Sequence, residues 1–256
     1  MFFEAVGLWF ADRAADFIAF CEKVKFVLFE GGRFNHLLNG LGNTLIITAG
    51  ALVIGIFLGI IVAAVRTSYD KNLETLKIRG GFGFFLLKVA NAICKVYLTV
   101  IRGTPVVVQL MICYFVIFIS ARDGVPVAIF AFGLNSGAYV AEIFRAGIMS
   151  IDQGQFEAGR SLGFNYVQTM WYVVIPQMFN AVLPTLCNEF IVLLKETSVA
   201  GYVGVIDLTK AGNIIAGRTY EYFIPLITVA LIYLAMVVLL TWLVGILERR
   251  LRKSER

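Results

Sequence analysis

The chain has little charge for its length. Only 15% of its 256 residues are Asp, Glu, Lys or Arg, whereas soluble domains usually carry about a quarter. Hydrophobic residues make up 59%, and a soluble fold of this size could not bury that much apolar surface. The composition therefore predicts an integral membrane protein, embedded in the lipid bilayer.

Histidine and cysteine are also scarce. His36 is the sole histidine, and the four cysteines stand far apart without a CxxC pair (Cys21, Cys94, Cys113 and Cys187). This pattern gives no support to a metal site, a disulfide framework or a catalytic residue set, so we expect no enzyme. The chain also lacks a GxxxxGK[ST] phosphate loop, so any ATP-driven step needs a second chain and no cofactor is expected in this one. Nucleic-acid binding is not expected, because the basic residues flank apolar runs instead of forming one patch with aromatics.

Long uncharged runs predict an all-α, polytopic membrane protein. About 20 apolar residues are enough for a helix to cross a hydrocarbon core of roughly 30 Å. Five spans are expected, at about residues 41–65, 105–120, 127–149, 179–200 and 223–247. They place a membrane domain at 38–248, between an N-terminal extension (1–37) and a basic tail (249–256). In the first span, Gly55 and Gly59 form a GxxxG pair that permits close helix approach.

The N-terminal extension mixes phenylalanines with charged residues. Glu4, Asp12 and Asp16 interrupt any apolar core of a signal peptide, so none is expected. The pattern fits an amphipathic helix on the membrane surface, and it equally fits an extension packed on the first span.

Residues 84–102 are apolar enough to suggest a span, yet their polar residues recur on one helical face. That face holds Lys88, Asn91, Lys95, Thr99 and Arg102. Each basic residue would cost about 3 kcal/mol at the bilayer centre. We therefore predict a helix in the membrane interface. Gly103 and Thr104 would end it, and Pro105 suits the first turn of the next helix.

Basic residues are distributed unevenly between the two sides of the predicted spans. The connector at 66–88 and the tail at 249–256 hold five each, whereas the two opposite connectors hold one and two. The positive-inside rule places the C-terminus and the loop at 151–176 in the cytoplasm, and the N-terminus outside.

Two predicted spans carry polar residues that are costly in lipid and tend to face a bundle interior or a water-filled path. These candidates for a translocation path are Asn135, Tyr139, Glu142, Asn188 and Glu189. For Glu142 a structural ion pair, with Arg145 or with the polar helix at 84–102, is an equally open interpretation.

The loop at 151–176 is predicted to fold as helix-turn-helix. It carries Glu157-Ala158-Gly159, then Gly163 as a turn residue, then Val173-Val174-Ile175-Pro176. This arrangement resembles the EAA loop of bacterial ABC importer permeases, although Gly159 stands where that family usually has a second alanine. The segments RGTPVVVQL (102–110) and SGAYVAEIFR (136–145) resemble its polar amino-acid branch, the histidine, glutamine and arginine permeases. The resemblance covers about residue 38 to the C-terminus.

The resemblance implies a type I importer permease in the bacterial cytoplasmic (inner) membrane, forming the path for polar amino acids. It implies two ATPase subunits that use ATP and Mg, a second permease subunit of the same or a related chain, and an extracytoplasmic amino-acid-binding protein. The loop would contact the ATPase through Glu157, Ala158, Gly159, Leu162, Gly163 and Phe164, with Glu157 capping or anchoring the loop. Gly103, Thr104, Pro105 and Pro176 would be structural motif residues. Carboxylates at Glu142 and Glu189 would suit a cationic amino acid.

Two other functions remain as alternatives. An ATP-independent amino-acid channel or secondary transporter would favour an inverted repeat, and five spans do not divide into two equal halves. A membrane scaffold that holds a soluble enzyme would use the loop without a path, which leaves the polar residues within the spans unexplained.

Overall fold

The computed structural model describes residues 2–79 and 81–254; for 2–12, 14, 71–79 and 252–254 only the backbone is described. These residues form ten α-helices: α1 Phe2–Phe29, α2 Arg33–Arg79, α3 Phe82–Gly103, α4 Val106–Ile112, α5 Gly124–Met149, α6 Gln153–Ser161, α7 Tyr166–Thr169, α8 Ile175–Glu196, α9 Leu208–Thr219 and α10 Phe223–Ser254. Short π-helical turns follow α4 and α7, and a 3₁₀ segment follows α8. No strand occurs in the described ranges, which confirms the all-α prediction.

Helices α2 and α5 form the most extensive interface between the described helices. Small residues permit this close approach. A Cβ added at Gly59 would lie 2.4 Å from Cγ1 of Val140, and one added at Gly133 would lie 2.7 Å from Cβ of Ile54. The Gly55/Gly59 pair is therefore a true packing face, as the GxxxG pattern allows. Around it, a buried cluster centred on Phe132 joins α2, α4, α5 and α8.

Five helical segments of the described chain are long and apolar enough to cross a membrane, which confirms the number of spans predicted. They are Ala15–Asp70, Phe82–Gly103, Gly124–Met149, Tyr166–Val203 and Phe223–Leu251. The set differs from the predicted one at the second span, because it includes α3 and excludes α4.

The second predicted span, 105–120, stays a prediction, and its helix is short. The helical stretch Val106–Ile117 has seven α-helical and five π-helical residues, so it reaches only about 18 Å at 1.5 Å per residue. It ends because the backbone leaves helical geometry at Phe118 (φ −108°, ψ 41°). Helix α3 is long and apolar enough to cross the membrane, whereas the stretch Val106–Ile117 is shorter. The interfacial position expected for residues 84–102 stays a prediction.

The N-terminal extension packs onto the membrane domain at its end. Val27 and Leu28 are buried against α9 and α10, in a cluster that includes Leu208 and Ile215. Lys23 forms an ion pair with Glu221, in the turn before α10. The described side chains of α1 therefore support the packed extension over a helix free on the membrane surface. The phenylalanines among residues 2–12 lie outside the described side chains.

Candidate functional site

The loop between α5 and α8 folds as the predicted helix-turn-helix, and its ends are capped by short polar side chains. Asp152 accepts a hydrogen bond from the backbone N–H of Gly154 at 2.6 Å and begins α6. Asn165 begins α7 with a capping box, in which its side chain accepts from Gln168 N and the Gln168 side chain accepts from Asn165 N, both at 2.9 Å. Each cap satisfies N–H groups that a short helix leaves unpaired.

The turn between the two short helices depends on Gly163. Its φ of +82° lies in the left-handed region that glycine adopts at low cost. Its N–H donates to the carbonyl of Arg160 at 2.9 Å, and the N–H of Phe164 donates to the carbonyl of Gly159 at 3.1 Å. These two bonds close the C-terminus of α6 and direct the chain back towards the membrane domain.

The underside of the loop is packed. Phe156 is buried in a cluster with Val174 and Met178, beneath α6. A Cβ at Gly159 would lie 2.7 Å from Cγ2 of Thr169, so α6 and α7 touch where alanine would not fit without a shift. The departure from the family pattern at this position therefore has a steric reason.

The outer side of the loop exposes apolar residues. Leu162 is 74% exposed and Val167 is 71% exposed, and the nearby rings of Trp171 and Tyr172 are also largely open. Phe164 is half-buried, with its ring centroid 6.1 Å from that of Tyr172. A folded loop with an apolar outer surface is typical of a protein-docking site.

Glu157 caps neither helix of the loop, and its expected role as an anchor and ATPase contact stays a prediction. Its side chain and that of Ala158 are exposed, and the Glu157 carboxylate makes no hydrogen bond within the described chain. Asp152 and Asn165 directly precede α6 and α7, the position from which a side chain accepts from the free N–H groups of the first turn. Pro176 lies in the first turn of α8, where a missing N–H costs nothing.

Within the membrane domain, polar side chains of α4, α5 and α8 form two hydrogen-bonded pairs at neighbouring residues of α5. The buried Asn135 amide donates to Oε1 of Gln109 at 3.0 Å, and Ser136 Oγ donates to Oε1 of Glu189 at 3.1 Å. The amide nitrogen of Gln109 donates in turn to Thr104, at 3.0 Å to its carbonyl and 2.8 Å to its hydroxyl. We call Gln109, Asn135, Ser136 and Glu189 the inner polar cluster.

The predicted candidates thus fall into separate places. Asn135 and Glu189 lie in the inner polar cluster, whereas Asn188 is exposed and has no side-chain hydrogen bond in the described chain. Gln109 and Ser136 were not predicted as path residues. Both belong to the sequence segments that resemble the amino-acid permeases. Neither carries a charge, so the free energy of placing it in lipid is too small to single it out in the sequence.

Glu142 lies apart from that cluster and is held by two arginines. Its Oε2 accepts from Arg145 at 3.0 and 3.2 Å, and its Oε1 is 3.8 Å from a guanidinium nitrogen of Arg102. The Arg102 guanidinium also lies over the ring of Tyr139, 5.6 Å from its centroid. The ion-pair interpretation of Glu142 is therefore correct, and its charge is already compensated within the chain.

Gly103, Thr104 and Pro105 form the junction between α3 and α4. Thr104 Oγ1 donates to the carbonyl of Val100 at 2.8 Å, and Pro105 directly precedes α4. The junction fits the structural role expected of this motif, because it sets where α4 begins. Gln109, one turn into α4, then lies within reach of Asn135.

Comparison with known proteins agrees with this geometry. Residues 55–253 match the family described as binding-protein-dependent transport system inner membrane component. The arginine transport system permease protein of Bacillus subtilis (strain 168) is 36% identical over 222 residues, which covers 86% of this chain and 94% of that protein. The L-cystine transport system permease protein of the same organism is 34% identical over 218 residues, covering 84% and 86%.

Solved structures show the same fold. A chain from the crystal structure of an amino acid ABC transporter with histidines is 37% identical, with a TM-score of 0.74 over 85% of this chain and 94% of that one. The inward-facing MetNI methionine ABC transporter is 19% identical, with a TM-score of 0.69 over 87% and 99%, and supports the fold alone.

Proposed function

The chain belongs to the family of binding-protein-dependent transport system inner membrane components, and from this premise we propose that it forms the translocation path of an ATP-driven amino-acid importer. Relatives named for arginine and cystine transport support amino acids as the substrate class. The ATPase would be a separate subunit, present in two copies that bind ATP and Mg. A second permease subunit, the same chain or a relative, and an extracytoplasmic amino-acid-binding protein would complete the importer.

The observation that carries the proposal is the capped helix-turn-helix between α5 and α8. It combines a fixed conformation with an apolar outer surface around Leu162 and Val167. A surface that is ordered before binding loses little conformational entropy when a partner docks. We propose that this surface, with Phe164 at its edge, inserts into a groove of the ATPase.

Motion of the ATPase would reach the path through α5 and α8. The Gln177 amide of α8 donates to Oε1 of Gln155 in α6 at 3.1 Å, which ties the loop to the helix. Above it, Gly147 of α5 packs directly on Val182 of α8. Closure of two ATPase subunits by ATP would draw two such loops together, and the stiff helix pairs would convert that shift into opening of the path.

The inner polar cluster supplies the chemistry of the proposed path. Glu189 is half-buried, with Ser136 as its hydrogen-bond donor in the described chain, so its carboxylate keeps free acceptor positions. Such a carboxylate suits an ammonium group, which every amino acid carries and cationic ones carry twice. We place the substrate near Glu189 and Asn135, with Tyr139 and Asn188 at the borders of the path.

The proposed arrangement places the chain in the inner membrane with its N-terminus outside and its C-terminus in the cytoplasm. The loop then faces the ATPase, and α9 with its neighbouring turns faces the binding protein. The bias of basic residues supports this orientation.

Co-purification tests the docking surface. We expect Leu162→Gln to reduce recovery of the ATPase with the tagged permease at least tenfold, because it puts an amide into an apolar contact. The matched control is Tyr220→Gln, since Tyr220 is 91% exposed and lies before α10, on the opposite side. Equal recovery with both variants, or equal loss with both, would contradict the assignment of the loop.

A further inference from the structure

Three of the seven residues that line an open cleft between α2, α3 and α5 are basic, and the cleft is separate from the inner polar cluster. We propose that it binds the phosphate headgroup of an anionic phospholipid from the cytoplasmic leaflet. The proposal uses the orientation given under the proposed function. It adds a lipid site that transport itself does not require.

The cleft has a volume of about 510 Å³ and one predominant charge. Its lining consists of Arg66, Lys95, Leu98, Thr99, Arg102, Gly103 and Glu142. Three cations thus face one carboxylate. That carboxylate already accepts two hydrogen bonds from Arg145, which lies outside the lining. The uncompensated charge of the cleft is therefore positive.

Two of the cations lack an acidic partner. Within the described chain, neither Arg66 nor Lys95 has a carboxylate oxygen within 4.0 Å. The Nε atom of Arg66 is in addition buried without a hydrogen-bond acceptor. Buried donors in folded proteins are almost always paired, so an acceptor from outside the chain is expected at this position. A phosphate oxygen satisfies it, and phosphate geometry matches a guanidinium.

Two carbonyls at the end of α3 already accept hydrogen bonds, which reduces the repulsion that a helix C-terminus exerts on an anion. The carbonyl of Ile101 accepts from the Gln109 amide at 2.8 Å, and the carbonyl of Val100 accepts from Thr104 Oγ1 at 2.8 Å. These terminal acceptors are already occupied. The cations of the cleft thus determine its preference.

The helix beside the cleft also presents an apolar surface. On its other flank α3 carries a groove of about 480 Å³, lined by Ala92, Ile93, Val96, Tyr97, Val100 and Ile101. Consecutive residues of an α-helix point about 100° apart, so the groove does not continue the cleft. An anion in the cleft therefore lies beside a helix whose open flank is apolar, which is the surrounding that a lipid headgroup has and that a soluble phosphate does not require.

The position along the chain fits the headgroup region. Arg66 is the first charged residue after the apolar stretch of α2, at the predicted cytoplasmic end of that span. Basic pockets between helices on the cytoplasmic side are suited to anionic headgroups, and each basic residue near that surface contributes about 1 kcal/mol.

The test is native mass spectrometry of the whole importer, purified with its ATPase and titrated with phosphatidylglycerol or phosphatidylcholine. We expect Lys95→Gln and Arg66→Gln each to weaken phosphatidylglycerol binding about fivefold and to leave phosphatidylcholine binding unchanged. Lys88→Gln is the matched control: Lys88 is an exposed lysine of α3, two turns earlier, outside the cleft lining. It should bind phosphatidylglycerol as the unmodified chain does.

Three results would overturn the proposal. One is unchanged phosphatidylglycerol binding in Lys95→Gln, an exposed position whose change leaves the buried packing intact. The second is an equal loss in Lys88→Gln, and the third is displacement of the lipid by millimolar inorganic phosphate, which would indicate a site for a soluble anion. Lipid binding is read without transport, so a failed ATPase co-purification would instead count against the proposed function.

Discussion

A methyl group added at Gly147 tests whether α5 and α8 act as one stiff unit above the loop. The Cβ of an alanine there would lie 2.2 Å from Cγ2 of Val182 and 3.0 Å from Cγ of Met178. Carbon atoms pack at about 3.5–4.0 Å, so the helices must separate by more than about 1 Å or Val182 must rotate. Both facing side chains are buried, which makes rotation costly.

The expected magnitude follows from overpacking, which costs about 1–3 kcal/mol in a packed core. At about 2–4 °C per kcal/mol for a chain of this size, Gly147→Ala should lower the thermal midpoint of the purified importer by about 3–10 °C. Amino-acid-stimulated ATPase activity should fall more than basal ATPase activity, because the altered contact lies between the loop and the path. Gly42→Ala is the control: no atom lies within 4 Å of its added Cβ, and alanine is favoured in helices.

A double substitution tests whether the loss of stability comes from the steric contact between the added methyl group and Val182. Val182→Ala removes the clashing Cγ2, and by itself costs about 1–3 kcal/mol through lost packing. In the double variant, the methyl group added at position 147 occupies part of the space left by the truncated Val182 side chain, and the flexible Met178 side chain adjusts. We expect the pair to be more stable than the sum of the single changes by at least about 1 kcal/mol. Additivity within about 0.5 kcal/mol would refute the direct contact.

Two further predictions concern buried carboxyl groups. Burial raises the pKa of Asp207, although backbone N–H groups of Thr209 and Lys210 that donate to it act in the opposite direction. A carboxyl group whose pKa is raised in the folded state stabilises the fold below its unfolded pKa, near 4, and this stabilisation is lost as the pH rises through its folded pKa. Asp207→Asn removes this group, so the thermal midpoint should depend less on pH above about 4. The second prediction is that Glu189→Gln keeps the Ser136 hydrogen bond and the fold, but lowers stimulation of the ATPase by arginine at least tenfold relative to glutamine; equal loss for both amino acids would contradict a charge-selective role.

Much of the loop could be predicted from the sequence because its features are local. A left-handed φ at Gly163 and a proline in the first turn of a helix are backbone properties of single residues. The caps were not predicted, although Asp152 and Asn165 are typical N-cap residues, because Glu157 was given that role by family resemblance. The local sequence indicated both caps, but the prediction followed the family resemblance instead.

The second span shows what hydropathy does not determine. Residues 105–120 carry no charge, yet the helix passes through a π turn and ends at Phe118. Leu110 and Cys113 are buried with Phe132 of α5, so tertiary packing fixes this short helix in place. A hydropathy profile measures transfer into lipid and contains no information about where neighbouring helices interrupt a backbone.

The partners of polar residues were the other part that sequence could not supply. Helical spacing places Asn135 and Glu142 on one helix, but their partners come from α3, α4 and α5 itself. The two carboxylates of the predicted path differ in their partners. Glu142 forms ion pairs with Arg145 and Arg102, whereas Glu189 accepts one hydrogen bond, from the Ser136 hydroxyl, in the described part of the chain.

The loop lies at one end of the antiparallel pair formed by α5 and α8, and Ser136 and Glu189 of the inner polar cluster lie farther along the same pair. Gly147 meets Val182 near the loop, and Ser136 meets Glu189 farther along both helices, roughly 10–16 Å away at 1.5 Å per residue. Two contacts along one pair, the first steric and the second polar, prevent the helices from sliding independently. A shift imposed at the loop must therefore change the separation at Glu189 or break its hydrogen bond. Since an unpaired carboxylate is costly within a span, we predict that the substrate's ammonium group becomes its partner in the shifted state.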